Sequence, residues 1–170
     1  MKNLFTVLVF AICLNTFAQD KVSLSVYQDA KLGVIGDKVH GYDAGTLDLL
    51  FRFKMQGYQK EFGYLIVFPE FEYAEIKGLY KRYSVNVGYT LNKLVIDNTE
   101  VNASLGWGWI DRYGKTVFSW GASSEIAYKV SDKFKIVALG QLTERKDLKL
   151  FYGKNEIRFS GFIGIEFNLN

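Results

Sequence analysis

The amino-acid sequence predicts an all-β chain, an eight-stranded antiparallel up-and-down transmembrane β-barrel behind an N-terminal signal peptide. Three observations predict it. Apolar and polar residues alternate in eight successive stretches, a period of two rather than 3.6. No apolar run is long enough to cross a bilayer as a helix, and only helices or closed barrels can cross one. A cleavable-looking export segment precedes the first stretch.

That segment is read first. Lys2 supplies a positive start, Leu4 to Leu14 an apolar core of signal length, and Thr16-Phe17-Ala18 puts small residues at the two positions a signal peptidase reads. Cleavage is expected after Ala18, which divides the chain into a signal peptide, 1–18, and a barrel, 19–170. Cys13 is the only cysteine and leaves with the signal, so the barrel is expected to lack disulfides and cysteine metal sites. Ile12 before it is a poor fit to a lipoprotein cleavage site.

The eight stretches come in order. The first sets Val22, Leu24 and Val26 against Ser23, Ser25 and Tyr27. The second sets Leu47, Leu49, Phe51, Phe53 and Met55 against Asp48, Leu50, Arg52 and Lys54. In the third, Leu65, Val67, Phe71 and Tyr73 oppose Ile66, Phe68, Glu70 and Glu72. The fourth opposes Tyr83, Val85, Val87, Tyr89 and Leu91 to Arg82, Ser84, Asn86, Gly88 and Thr90. In the fifth, Val101, Ala103, Leu105, Trp107 and Trp109 alternate with Asn102, Ser104, Gly106 and Gly108. The sixth sets Phe118, Trp120, Ala122, Ile126 and Tyr128 against Ser119, Gly121, Ser123, Glu125 and Lys129. The seventh, Phe134 to Arg145, carries aliphatics on both faces. The eighth places Phe159, Gly161, Ile163, Ile165, Phe167 and Leu169 opposite Ser160, Phe162, Gly164, Glu166 and Asn168.

Orientation is set by the chemistry of the two faces. A soluble lipocalin-like barrel would bury the apolar face, and a transmembrane barrel turns it outward. The apolar faces end in aromatic residues, with Tyr89, Trp107, Trp109, Trp120 and Tyr128 expected at headgroup level. Stretches of about nine to eleven residues suit a tilted crossing of the hydrocarbon. The opposite faces carry charges of both signs, and an eight-stranded lumen is narrow enough for side chains to fill. Asp48, Arg52, Glu70, Glu72, Arg82, Glu125, Lys129 and Glu166, with Lys54, are therefore expected to form a polar network that plugs the lumen.

The connections Gln56 to Phe62, Asn92 to Glu100 and Ser131-Asp132 are expected on one side, with both termini. The other side is expected to carry Asp29 to Ala44, Ala74 to Lys81, Asp111 to Lys115 and Lys146 to Glu156. Two of these are long and charged, as outer loops are. Net charge is only +3, with no basic cluster interleaved with aromatics, so nucleic acid is not an expected partner.

With that pattern, the chain resembles the small eight-stranded outer-membrane barrels typified by outer membrane protein X and the transmembrane domain of outer membrane protein A. The resemblance covers the whole of 19–170 as an architecture. Its most specific part is the end, where Gly164, Phe167 and Leu169 fit the signal read by the barrel assembly machinery; Ile163 and Asn170 depart from it. The sequence Phe17-Ala18-Gln19 is similar to the signal ends of Bacteroidota export proteins. The resemblance implies a cell outer-membrane location, membrane lipid as surroundings and a monomer.

Catalytic chemistry is not expected. His40 is the sole histidine, and no serine stands near it as a deacylase spacing would require. The chain shows no phosphate-binding glycine loop, serine elbow or zinc motif, so no catalytic residue, cofactor or metal site is assigned. Arg145, Lys146, Lys149 and Lys154 form a basic outer loop that could contact lipopolysaccharide phosphates. The leading expectation is a structural or surface-interaction barrel working through its outer loops. A small passive pore, a lipid A-modifying enzyme and a soluble lipocalin-like binding barrel are the alternatives.

Overall fold

The structure, a computed structural model, describes residues 21–38, 41–92, 96–153 and 156–169. Residues 1–18, expected as a signal peptide and holding Cys13, and His40, Lys154 and Asn170, lie outside the described residues. The strands are β1 (Val22–Asp29), β2 (Asp48–Lys60), β3 (Gly63–Ala74), β4 (Tyr80–Leu91), β5 (Thr99–Arg112), β6 (Lys115–Lys129), β7 (Phe134–Arg145) and β8 (Glu156–Asn168). Two short helices, α1 (Ala30–Val34) and α2 (Lys146–Tyr152), interrupt the strand order. Each strand pairs antiparallel with the next, and β8 returns to β1 with Val26 opposite Ile165. The sheet is a closed barrel of eight strands. Closure leaves no sheet edge along the paired length, which is what makes strands tolerable away from water.

The period-two pattern sets the facing of every strand. On β4 the side chains of Tyr83, Val85 and Val87 are exposed on the outside, while Arg82, Ser84 and Asn86 are buried within. The seventh strand's double set of aliphatics has a simple cause. Val137 and Leu139 face inward and pack with Tyr27, Leu50, Ala127 and Phe162 in a small apolar cluster, while Ile136 and Leu142 face out. The lumen is thus charged along most of its wall and apolar on part of it.

Several connections are shorter than the alternation suggests. The stretch Gln56 to Phe62 was expected as a connection, but β2 runs on to Lys60 and only Glu61 and Phe62 turn the chain. Its residues are mostly polar, so backbone pairing rather than side-chain alternation extends the strand, with a register shift between Gln56 and Gln59. The expected Asp111 to Lys115 connection reduces to Tyr113 and Gly114, both at positive φ (52° and 68°). Two residues of that kind make the tight hairpin turn whose twist matches the strands. Strand lengths consequently reach 15 residues in β6, beyond the expected range, while β1 has only 8.

The ladders are interrupted at two points. Pro69 sits in the middle of β3 opposite Val85, and the ladder to β2 skips from Arg52–Glu70 to Met55–Val67 beside it. Proline has no N–H to give that ladder. At the other point, β1 stops at Asp29 opposite Phe162, so β8 residues from Glu156 to Gly161 have no β1 partner. Asp29 instead caps α1, accepting the Leu32 N–H at 2.7 Å.

Candidate functional site

The barrel has two ends and a middle. The β2–β3, β4–β5 and β6–β7 connections share one end, the turn end, with residues 21 and 169. The helix α1, the β3–β4 and β5–β6 turns and α2 lie at the other, the loop end.

In the middle, alternation brings long charged side chains from different strands to one axis. Arg52 is completely buried, and its Nε donates to Glu70 Oε2 at 2.7 Å while its Nη1 reaches Glu125 Oε2 at 3.3 Å. Glu70 also accepts from Arg82 Nη1 at 2.5 Å, Ser84 Oγ at 3.1 Å and Gln141 Nε2 at 3.0 Å. Glu125 takes Tyr27 Oη at 2.5 Å and pairs with Lys54, whose Nζ lies 2.5 Å from Glu166 Oε2. Glu166 Oε1 is 3.0 Å from Lys135, and Lys135 donates to Glu100 Oε2 at 2.8 Å. The result is one alternating chain of charge: Arg82, Glu70, Arg52, Glu125, Lys54, Glu166, Lys135, Glu100.

Seven strands supply those charges, and β1 joins through Tyr27 and through Ser25, which donates to Glu166 at 2.9 Å. A buried ion costs several kcal/mol unless its partners are close and its remaining valences are filled. Multiple partners meet that need for Glu70, Glu125 and Glu166. The Arg52 guanidinium also stacks over Phe68 at 4.9 Å and lies 5.6 Å from the Tyr27 ring centre. Gly121 makes room for the arrangement, since a Cβ there would stand 2.9 Å from Arg82 Nη2.

Of the residues expected in the network, Arg52, Glu70, Arg82, Glu125 and Glu166 meet in the middle. Asp48 and Glu72 are buried but sit toward the loop end, outside the chain of pairs. Lys129 faces the opposite end, half exposed, and pairs with Asp132 at 2.8 Å instead of a barrel carboxylate. It lies too near the end of β6 to reach the middle. Lys135 and Glu100 were not singled out from the sequence. Lys135 was hidden by the aliphatics on both faces of β7, yet it stands in phase with inward Val137, Leu139 and Gln141.

A second charged group, not singled out from the sequence, closes part of the loop end. Asp147 of α2 accepts from Arg145 Nε at 2.8 Å and Nη2 at 2.7 Å, and from Arg112 Nη1 at 3.1 Å. Arg145 lies 4.2 Å over the Tyr80 ring, and Arg112 Nε donates to the Lys77 carbonyl at 2.7 Å. Burial opposes the Asp147 charge, but the hydrogen bonds and charges of Arg145 and Arg112 outweigh it and hold its carboxyl below the usual range. Arg145 was expected in a basic outer loop, and this is a correction. It is buried and bidentate on Asp147, so its donors are turned inward. Lys146 pairs with Glu144 at 3.2 Å, which leaves Lys149 exposed in that segment.

Two cavities flank the middle. One of about 340 Å³ opens at the turn end and is lined by Lys54, Tyr64, Glu100, Asn102, Lys135 and Glu166 among others. The other, about 780 Å³, opens at the loop end and is lined by Asp29, Asp48, Glu72, Tyr80, Arg112 and Arg145 among others. No residue lines both, and Tyr27, Arg52, Phe68, Glu70 and Phe162 lie between. Among the described residues, no group of three or more His, Cys, Asp or Glu side chains is placed to hold a metal ion.

The aromatic residues mark the outer surface. Trp107 faces Trp120 across the β5–β6 pair, and Trp109 packs edge-on against Phe118 with ring centres 6.4 Å apart. These tryptophans lie in the loop-end half, with Trp109 56% exposed. Tyr89 and Tyr128 stand near the turn-end limits of their strands. On β8, Gly164 is in close contact with β1, where a Cβ would lie 2.2 Å from the Val26 carbonyl oxygen. Phe167 packs on Phe134 at 5.4 Å, and the Leu169 N–H donates to Val22 O at 2.8 Å.

A closed barrel that is apolar outside and ion-paired within has the architecture of a membrane-spanning β-barrel. No protein-family model matches the chain, and no curated protein matches it. Among solved structures, the outer membrane protein Ail of Yersinia pestis, in a phospholipid bilayer nanodisc, is similar over 89% of this chain and 100% of that one. The TM-score is 0.57 at 12% identity. A de novo designed transmembrane β-barrel (TM-score 0.49, 12% identity, 88% of this chain and 93% of that one) is also similar. So is Neisserial surface protein A (TM-score 0.45, 12% identity, 87% and 94%). The chain has the fold of the small eight-stranded outer-membrane barrels.

Proposed function

We propose that this protein is an outer-membrane barrel whose closed interior anchors a loop end that works on the outside, and that it is not a pore. One observation carries the reading: the two cavities share no lining residue, and an ion-paired layer fills the space between them. An outer-membrane location is supported by the apolar exterior and by the fold it shares with Ail. A lipocalin-like barrel would bury that apolar face, which here is outermost.

In this reading Gly164, Phe167 and Leu169 serve the barrel assembly machinery, the barrel stands as a monomer in outer-membrane lipid, and no reaction is assigned to it. Lipopolysaccharide contact would rest on exposed Lys149, with Arg145 withdrawn onto Asp147 and Lys146 paired with Glu144. The test is conductance of the purified, refolded protein in planar bilayers, alongside quenching of its tryptophans by brominated lipid. The expected result is no stable conductance and strong quenching of the outward Trp107, Trp109 and Trp120. Stable, size-selective channels would overturn the closed reading, and unquenched tryptophans the membrane one.

A further inference from the structure

We infer that the loop-end cavity is a binding site for an amphiphilic ammonium ion, a primary amine carried on a hydrocarbon body. Two independent observations meet there.

The first is chemical. Asp29, Asp48 and Glu72 line one wall of the cavity from adjacent strands, and Asp48 and Glu72 are each 6% exposed. Asp48 Oδ1 and Glu72 Oε2 are buried with no hydrogen-bond partner, and neither carboxylate forms an ion pair with a described residue. In the middle of the lumen, by contrast, each buried carboxylate has several partners. A native chain rarely leaves buried acceptors unfilled unless something else fills them. The described carboxylates are not grouped to hold a metal ion. Arg82 Nε and Nη2, opposite Glu72 on β4, are buried without a partner as well and make no ion pair with it. An occupant that fills both oxygens therefore brings its own donors, and an ammonium group has three N–H donors and the complementary charge.

The second observation is topological. β8 extends past the end of β1, so its edge from Glu156 to Gly161 is unpaired on that side. Inward-facing Arg158 and Ser160 line the cavity, and so do outward-facing Ile157 and Phe159. A cavity lined from both faces of β8 reaches the outer face past the strand's unpaired edge and its tip at Ile157. Beside Leu32 of α1, which stands against β8, it borders the apolar exterior where Phe159 is 71% exposed. A ligand with its charge on Asp48 and Glu72 and its hydrocarbon along Leu32, Ile157 and Phe159 satisfies both ends of that path. A wholly polar cation would leave the seam uncovered, and a neutral lipid would leave the carboxylates unfilled.

The inference stands apart from the closed-barrel reading, because the loop-end cavity does not depend on what separates it from the other. The experiment is native mass spectrometry of the folded protein released from detergent after equilibration with octylamine, butylamine, octanol or calcium. Folding of each variant is checked by its heat-modifiable gel migration. The expected result is a one-to-one octylammonium adduct, at least tenfold more populated than with butylamine or octanol. The Asp48→Asn/Glu72→Gln variant should lose that adduct at least tenfold, and Phe159→Ser should weaken it while leaving the carboxylates intact. An adduct unchanged in both variants, no adduct at all, or retention of calcium in preference to the amine would overturn the site. Equal binding of butylamine and octylamine would overturn entry through the seam, placing the source in water rather than in the lipid.

Discussion

The middle of the barrel and its loop end are built from the same groups, buried acids and bases on alternating strand positions, yet they are finished differently. In the middle, Glu70 accepts from two arginines, a serine and a glutamine, and no oxygen of Glu70, Glu125 or Glu166 is left buried without a partner. At the loop end Asp147 is treated that way and Asp29 accepts the Leu32 N–H, while Asp48 and Glu72 keep unpartnered oxygens beside a cavity. Identical chemistry thus closes the barrel in one place and lines an opening in the other. What separates them is the number of strands that converge. The middle draws on all eight, whereas above Asp29 the β1–β8 pairing ends and the short helix α1 stands beside β8 in place of a strand.

That contrast makes its own predictions, the largest in the middle. Arg52→Met removes the cation shared by Glu70 and Glu125, and it is expected to destabilise by about 3–5 kcal/mol because it strands buried charge. Urea unfolding in detergent or lipid measures this. A change below about 1 kcal/mol would mean that the chain of pairs contributes little and the contrast is only geometric.

At the loop end, Asp147→Asn is expected to cost about 1–3 kcal/mol, confined to α2, since the fork on Arg145 is weakened while the barrel stays intact. Amide hydrogen exchange in Lys146–Tyr152 reads it. The same carboxylate gives a pH dependence. Its folded pKa is lowered, so its contribution is fully present above the unfolded carboxylate value of about 3.9. It is lost as pH falls from there through the lower folded value. α2 should therefore loosen only in strong acid, and the asparagine variant should show no such step.

The smallest effect is expected for Glu72→Gln, within about 1 kcal/mol of the native protein or slightly stabilising, because its buried Oε2 accepts no hydrogen bond and no described cation forms an ion pair with it. A loss as large as that of Arg52→Met would erase the distinction between the two regions.

Much of this was legible in the chain before folding. The alternation of Phe51, Arg52, Phe53 and Lys54 already assigns two residues to the outside and two to the inside, because side chains on a strand point alternately. Register across the barrel was not legible. Lys54 and Glu125 are 71 positions apart, and they meet only because of how far the strands slide past one another on closure. Lys135 was obscured by apolar neighbours on both sides, and Arg145 by its place in a run of charges that read as a solvated loop. The short α2, with its Arg145-x-Asp147 fork, carries too few residues for a helical period to announce itself. The unpaired upper part of β8 was invisible for a different reason: it depends on where β1 stops, and Asp29 stops it by capping α1.

Glu166 lies on the last strand, and two cations contributed earlier in the chain, Lys54 and Lys135, depend on it. Lys135 meets Glu166 directly within the β7–β8 pair, whereas Lys54 reaches it only once β8 has joined β1 and, through β1, β2. A one-residue slip in that final seam would put Lys54, carried with β1 through β2, out of phase with Glu166 while Lys135 keeps it. Correct stitching of the closing seam thus completes the neutralisation of the interior, and a mis-stitched seam would leave Lys54 one anion short.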